Sequence, residues 1–183
     1  MATDHSRLSA ARIATYVAVP IALAVLLISA LMYGGFGTQD SPGPSSAATG
    51  PVSMDAPPLS PEYAPVCQQI VADLPETAAG HARRPVTGGP EQNAAYGDPP
   101  ITVACGTTAS TFPPTDEVYL LSGVCWHAVR SGDTTAWTTV DRIVPVTVAV
   151  PGDADGSAQS VVPFSAAVGA SDPRLPTVPS GCS

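Results

Sequence analysis

The longest hydrophobic stretch of the chain is residues 13–36, an uncharged and mostly apolar run. A helix that crosses a bilayer needs about 20 such residues, so the run predicts one transmembrane signal-anchor helix. Arg7 and Arg12 precede the run, and the next positive residue is Arg83. Because positive residues stay inside, we expect a single-pass protein of the cell membrane, with residues 1–12 cytoplasmic and the C-terminal domain extracytoplasmic. A cleaved signal peptide is the alternative, but its apolar core is usually only about 7–15 residues long.

Residues 37–61 follow the apolar run and are rich in Pro, Ser, Ala and Gly. They show no hydrophobic period, and such a composition cannot bury enough apolar surface to offset the entropy of ordering. We predict a disordered linker that its prolines keep semi-extended. A proline-rich ligand for a partner is the alternative, although PxxP patterns arise easily in such a composition.

Residues 62–183 carry the hydrophobic patterns of one small folded domain. A helical period predicts a helix over 65–74, which Pro75 ends. Its apolar face consists of Cys67, Ile70, Val71 and Leu74. A second, short helix is predicted over 163–170, with Pro163 near its first turn.

Period-two alternation predicts the strands of the domain. Residues 118–129 are rich in β-formers but are interrupted at Ser122–Gly123, and residues 131–133 have the composition of a hairpin turn. The other predicted strands are 101–105, 124–130, 134–140 and 143–150. The fold class is therefore α+β, with one small antiparallel sheet of about four strands and two helices.

All four cysteines lie within residues 62–183. They are far apart in sequence, whereas a zinc site needs close pairs such as CxxC, so an even count in an exported domain favours two disulfides. Four cysteines allow three pairings. We choose Cys67–Cys105 and Cys125–Cys182, because the second bond would tie down a C-terminal tail that has few apolar anchors of its own.

The charge and the motifs limit the function. The chain has a formal net charge of −8 and no Lys, which argues against nucleic acid as a partner. No P-loop, HExxH, GxSxG or GxGxxG motif is present. We therefore expect neither a cofactor nor a metal.

A series of short motifs runs through the domain: Cys67 with Leu74–Pro75; Arg83–Arg84–Pro85–Val86; Tyr96–Gly97–Asp98–Pro99–Pro100–Ile101 leading to Cys105–Gly106; and Gly123–Val124 followed by Trp126. Together they resemble an actinobacterial family catalogued as domain of unknown function 3515. The resemblance implies an exported, membrane-associated protein, and it supports the Cys67–Cys105 pairing. Cys125 departs from the family pattern, so a Cys125–Cys182 bond would be an addition of this protein. Since the family has no established activity, the resemblance implies no catalytic residue.

Arg83 and Arg84 are the one basic pair of the acidic domain, and they lie within the family-like motifs. Two guanidinium groups can hold a carboxylate or a phosphate, so we predict ligand or partner contact there. A surface pair bonded to local acids or loop carbonyls is the alternative. Asp98 and Trp126 are further candidate contacts, although a turn and core packing are the plainer interpretations.

His127 raises the question of catalysis. A Ser-His-Asp site could combine it with Ser122 and either Asp98 or Asp141, but spacing in sequence carries no evidence of geometry. We assign no catalytic residue, and we expect a non-catalytic interaction or accessory module of the cell envelope. Its expected partners are the membrane, through the helix, and another envelope protein or a wall component. The alternative is an envelope hydrolase or small-ligand-binding protein that uses His127 or the Arg83–Arg84 loop.

Overall fold

The computed structural model describes residues 50–182, which form two helices and one sheet. The helices are α1 (Tyr63–Asp73) and α2 (Ala154–Ser171). The strands are β1 (Thr77–Ala78), β2 (His81–Arg84), β3 (Asn93–Tyr96), β4 (Ile101–Cys105), β5 (Val118–Leu121), β6 (Val124–Ser131), β7 (Thr134–Thr139) and β8 (Val146–Pro151).

All of these strands join one antiparallel sheet in the order β1-β2-β3-β4-β8-β7-β6-β5. In its middle, β8 lies between β4 and β7, with Val148 opposite both Val103 and Trp137. The pairing of β4 with β8 therefore joins the first half of the domain to its last strand.

One face of the sheet, the inner face, packs against both helices and forms the core. Strand alternation points Trp126 and Trp137 to this face, and both indoles are fully buried. Trp126 Nε1 donates to Ser165 Oγ at 3.2 Å, and Trp137 Nε1 donates to Ser157 Oγ at 2.9 Å. Because both serines lie on α2, two buried hydrogen bonds fix this helix on the sheet.

The first helix is tied to the sheet and to the second helix. Its apolar face is the predicted one, and the disulfide of Cys67 with Cys105 joins it to β4. At its C-terminal end, Asp73 Oδ2 accepts from Gln69 Nε2 at 2.9 Å and from Ser171 Oγ at 2.8 Å. These two hydrogen bonds lower the pKa of Asp73 below its usual value.

The opposite face of the sheet, the outer face, carries mainly Thr, Ala and His127, with the exposed side chains of Val129 on β6 and Leu120 on β5. Thr138 is paired with His127 and with Thr147, and its Oγ1 lies 3.0 Å from Thr147 Oγ1. Thr107, just after β4, places its own Oγ1 2.8 Å from the same Thr147 atom. A row of hydroxyls thus leads from the loop after β4 towards His127.

Residues 50–59, which we call the N-terminal segment, lie along the connection between β2 and β3. Val52 forms a parallel bridge with Val86. Further along, Asn93 Nδ2 donates to the carbonyl oxygen of Asp55 at 2.8 Å. The last part of the segment predicted to be a linker is therefore in contact with the domain.

The expected sheet of about four strands is wrong, because the sheet has eight. The chain reverses at Ser122–Gly123, where both residues have positive φ (48° and 82°), so β5 and β6 form a hairpin instead of one interrupted stretch. The strands β1, β2 and β3 were not predicted. β1 has only two residues, and β3 is buried at every position and so lacks alternation.

The second helix is longer than predicted. It begins at Ala154, where Asp153 Oδ1 accepts from Gly156 N at 3.0 Å and caps the first turn. Pro163 therefore lies inside the helix and not in its first turn. The start at 163 was wrong because it relied on the proline and neglected the capping aspartate.

The single-pass cell-membrane localisation expected from the sequence is contradicted. Within residues 50–182, no helix is long and apolar enough to cross a bilayer. The run 13–36, to which the transmembrane signal-anchor helix was assigned, lies outside the described residues.

Candidate functional site

His127 connects the loop 106–117 to the outer face of the sheet. Ser110 Oγ lies 2.8 Å from His127 Nδ1, and Asp116 Oδ2 lies 3.3 Å from His127 Nε2. A neutral imidazole with its proton on Nε2 satisfies both partners, because Ser110 then donates to Nδ1 while Nε2 donates to Asp116. One side chain of β6 therefore holds the loop at two points.

Phe112 closes the loop over the imidazole. Its ring stacks on that of His127, with the ring centroids 4.2 Å apart and an interplanar angle of 17°. As a result His127 is only 5% exposed, although it lies on the face that has no helix packed on it. The loop thus turns a histidine of the sheet surface into a buried residue.

Residues 173–182, which we call the C-terminal tail, are fastened near both ends. Arg174 Nε lies 3.4 Å from Asp141 Oδ2, and Arg174 Nη2 donates to the carbonyl oxygen of Cys182. Cys182 is itself disulfide-bonded to Cys125 of β6. Since Cys125 and His127 are both on the outer side of β6, the tail lies beside the loop.

A cavity of about 310 Å³ opens between the loop and the C-terminal tail, and we call it the outer-face cavity. Its lining residues are Phe112, Pro114 and Asp116 from the loop, with Pro179 and Ser180 from the tail. Among these described lining residues Asp116 is the one that carries a charge, and its side chain is 42% exposed. Ser110 and His127 are not part of the lining.

Two buried carboxylates support the start of the C-terminal tail. Asp141 Oδ1 accepts from Cys125 N at 3.0 Å. Asp172 Oδ1 accepts from Val144 N at 3.1 Å, and burial raises the pKa of Asp172 to about 6. These carboxylates bind the backbone of neighbouring segments, so their role is architectural.

A comparison with protein families agrees with the motif resemblance. The family model described as protein of unknown function (DUF3515) matches residues 17–177, which is most of the chain. The chain belongs to the DUF3515 family. No curated protein and no solved structure matches it. The family prediction is confirmed, and the description of the family names no activity.

Both predicted disulfides are present in this DUF3515 domain, as Cys67–Cys105 and Cys125–Cys182. The first pairs the cysteines of the family motifs, and the second fastens the C-terminal tail. Within residues 50–182, no three or more His, Cys, Asp or Glu side chains are grouped so that they could hold a metal ion.

Arg83 and Arg84 do not act together in the structure. Adjacent strand residues point to opposite faces, and Arg83 is paired in register with Tyr96. Arg84 donates through Nη2 to the carbonyl oxygen of Gly50 at 2.7 Å and through Nη1 to that of Gly97 at 2.7 Å. The Arg84 guanidinium therefore fastens the N-terminal segment to the sheet.

Asp98 and Trp126 also lie away from the outer-face cavity. Asp98 lines a smaller cavity of about 160 Å³, which it shares with His81, Ile101 and Ser160 among others. Trp126 is a core residue with no exposed surface. Arg83 and Arg84 lie near Asp98, since Arg84 bonds the carbonyl oxygen of Gly97, but Trp126 is buried in the core, so the four predicted contact residues do not form one site.

The hydroxyl and the carboxylate at His127 are not the ones considered from the sequence. Ser122 lies in the β5–β6 turn, and Asp141 binds Cys125 N. Ser110 and Asp116 take their places, and they lie in a loop without regular structure, where no periodic signal could have located them. Sequence reasoning also missed the remaining lining residues, Phe112, Pro114, Pro179 and Ser180. The one available signal was Cys182, which fastens the tail to β6.

Proposed function

We propose that the protein is a non-catalytic interaction module that recognises a partner at the outer-face cavity. The observation that carries the proposal is the construction of this cavity. Its two walls are irregular segments, and each of them is fixed to the sheet, one by His127 and the other by the Cys125–Cys182 disulfide. Loops that a rigid scaffold holds in place are common sites of binding.

The environment of His127 favours a structural role for this residue over a catalytic one. Both ring nitrogens have partners, one ring face is covered by Phe112, and the residue is 5% exposed. A substrate would have to reach Ser110, yet Ser110 is outside the lining of the adjacent cavity. We therefore assign His127 to holding the loop.

The setting that we propose is the cell envelope. Structural disulfides persist in oxidising environments and are rare in the cytosol, and the domain has two of them. The proposed partner is another envelope protein or a wall component. The net charge of −8 disfavours nucleic acid.

The proposal is tested by chemical crosslinking in native cells, followed by affinity purification of the full-length tagged chain. Phe112→Ala removes a wall of the cavity and should reduce recovery of the partner. Leu120→Ala is the matched control, because Leu120 is an apolar side chain that is 51% exposed on β5 and is not part of the lining. Equal recovery with both variants contradicts the proposed binding site.

A hydrolase is the second candidate, and the hydrogen-bonded line from Ser110 through His127 to Asp116 favours it. The partners follow the order of a Ser-His-Asp triad, with the two ring nitrogens exchanged relative to the usual arrangement. A fluorophosphonate probe, which labels activated serines, distinguishes the two functions. If the probe labels the wild type and Ser110→Ala abolishes that labelling, the protein is a hydrolase. If Ser110 is not labelled, the result agrees with the interaction module.

A further inference from the structure

We propose that the outer-face cavity receives the side chain of a Lys or Arg residue of a partner protein. This inference rests on the proposed function and specifies its ligand. The cavity combines one carboxylate with apolar walls, and the two features together fit a cationic group on an aliphatic stem.

The charge of the cavity selects a cation. Asp116 is the charged member of the described lining, and within residues 50–182 its ionic partner is the imidazole of His127. The chain as a whole carries 15 Asp and Glu against seven Arg, so its net charge favours a cationic ligand over an anionic one. A ligand anion would meet repulsion, whereas an ammonium or guanidinium group would be attracted.

The arginines of the domain do not neutralise this site. None of those in the described chain lines the cavity. Arg84, Arg130 and Arg142 donate to backbone carbonyl oxygens away from the cavity, and Arg174 donates to that of Cys182 in the C-terminal tail. Since no arginine of the described chain lines the cavity, a cation that binds Asp116 there would come from a partner.

The walls suit an aliphatic stem. Phe112, Pro114 and Pro179 offer apolar surface, and an aromatic ring also attracts a cation that lies within about 6 Å of its centroid. The volume of about 310 Å³ is at the lower end of the range of small-molecule sites. That size favours one amino-acid side chain over a large cofactor.

The walls are also held in place before any ligand arrives. His127 fixes the loop and the Cys125–Cys182 disulfide fixes the tail. Fixed walls lower the ordering cost that binding has to overcome. A single side chain can therefore bind measurably, even though its contact area is small.

The test is an NMR titration of the full-length chain with blocked amino acids. The probe is N-acetyl-lysine methylamide, and N-acetyl-norleucine methylamide is the uncharged control with an aliphatic stem. We expect saturable shifts of the amides of Asp116 and Ser180 with the lysine probe. The norleucine probe should bind at least about fivefold more weakly, and added salt should weaken the binding of the lysine probe alone.

Matched variants show whether the carboxylate is responsible. Asp116→Asn keeps an acceptor for His127 but removes the charge, and it should weaken binding of the lysine probe by about fivefold. Asp133→Asn, in the β6–β7 turn, makes the same change in net charge away from the lining and should leave binding unchanged. The inference is overturned if the lysine and norleucine probes bind equally well, or if Asp116→Asn binds the lysine probe as tightly as the wild type does. It is also overturned if the lysine probe causes no saturable amide shift.

Failure of this inference differs from failure of the proposed function. If the lysine probe does not bind while recovery of the crosslinked partner still depends on Phe112, the module stands and its ligand is not a basic side chain. Labelling of Ser110 by the fluorophosphonate would instead remove the proposed function itself.

Discussion

At the scale of single residues, a few buried polar groups determine how the irregular parts of the domain are attached. His127 holds the loop 106–117, and Asp141 and Asp172 bind the backbone beside the C-terminal tail. Buried polar groups of this kind are costly when one partner is removed. Substitution at each of them should therefore have a local effect that can be measured.

His127→Ala should release the loop from the sheet. The variant loses two hydrogen bonds and the stack with Phe112, and we expect it to lower the free energy of unfolding by about 1–3 kcal/mol. Hydrogen exchange of the amides in residues 107–117 should become faster than in the wild type. His81→Ala is the control, since His81 is exposed; similar exchange in both variants would argue against this role of His127.

Asp172 should make stability depend on pH in the acid range. Its pKa is raised to about 6 by burial, so the folded state binds a proton between pH 4 and pH 6 that the unfolded state has released. Stability should therefore fall as the pH rises through this window. Asp172→Asn keeps the acceptor for Val144 N and should raise the free energy of unfolding at pH 7 by up to about 3 kcal/mol, with little effect at pH 4.

Urea unfolding of the wild type and of Asp172→Asn at several pH values between 4 and 7 gives this difference directly. Asp133→Asn, which removes an exposed carboxylate, serves as the control. If the stability difference between wild type and Asp172→Asn does not change with pH, Asp172 is not the titrating group.

At the scale of elements, three irregular segments complete the domain: the N-terminal segment, the loop 106–117 and the C-terminal tail. Each is fixed by specific contacts and not by regular secondary structure. Two of them form the walls of the outer-face cavity, while the N-terminal segment lies along the β2–β3 connection. Their attachment can be disrupted one at a time.

Gly88→Ala should loosen the N-terminal segment. A Cβ at this position would overlap the carbonyl oxygen of Met54, and backbone atoms can yield only if the segment moves. Overpacking of this kind costs about 1–3 kcal/mol. Gly50→Ala is the matched control, because a Cβ at Gly50 meets nothing within 4 Å. Equal melting temperatures for the two variants would show that the contact with Met54 is unimportant.

The two disulfides should have similar effects on stability and different effects on binding. They close loops with sequence separations of 38 and 57 residues, and the chain-entropy model assigns each a contribution of about 4 kcal/mol. Replacing Cys125 and Cys182 together with Ala should also free the tail and abolish binding of the lysine probe. The variant in which Cys67 and Cys105 are both replaced with Ala should still bind the lysine probe, measured under conditions in which this variant is folded. Retained binding in both would show that the tail is not a wall of the site.

Helices and strands were predicted from the sequence where a helical or alternating pattern of apolar residues extends far enough to be detected. The helical face of Cys67, Ile70, Val71 and Leu74 is buried as expected, and so are the alternating valines of β8. The strands β1 to β3 were missed because they are short or buried on both sides. The cavity residues could not be predicted, since long-range pairing of β4 with β8 and of Cys125 with Cys182 brings them together.

At the scale of the whole molecule, the described domain has two faces of different construction. The inner face packs on the helices and supplies the core, whereas the outer face carries the loop, the tail and the cavity between them. An acidic chain with a cavity that contains an aspartate is suited to a basic partner. The proposed interaction module is therefore an arrangement in which one face maintains the fold and the other recognises the partner.

The most direct test of this arrangement is site-specific photo-crosslinking in native cells, with p-benzoylphenylalanine in place of Ser180 at the cavity. The same photo-reactive residue in place of Asp133 is the control. We predict one reproducible crosslinked partner protein from position 180, none from position 133, and loss of the crosslink when Asp116→Asn is added. The same products from both positions would contradict recognition at the outer-face cavity. A crosslink from position 180 alone that Asp116→Asn leaves unchanged would contradict a basic ligand at this cavity.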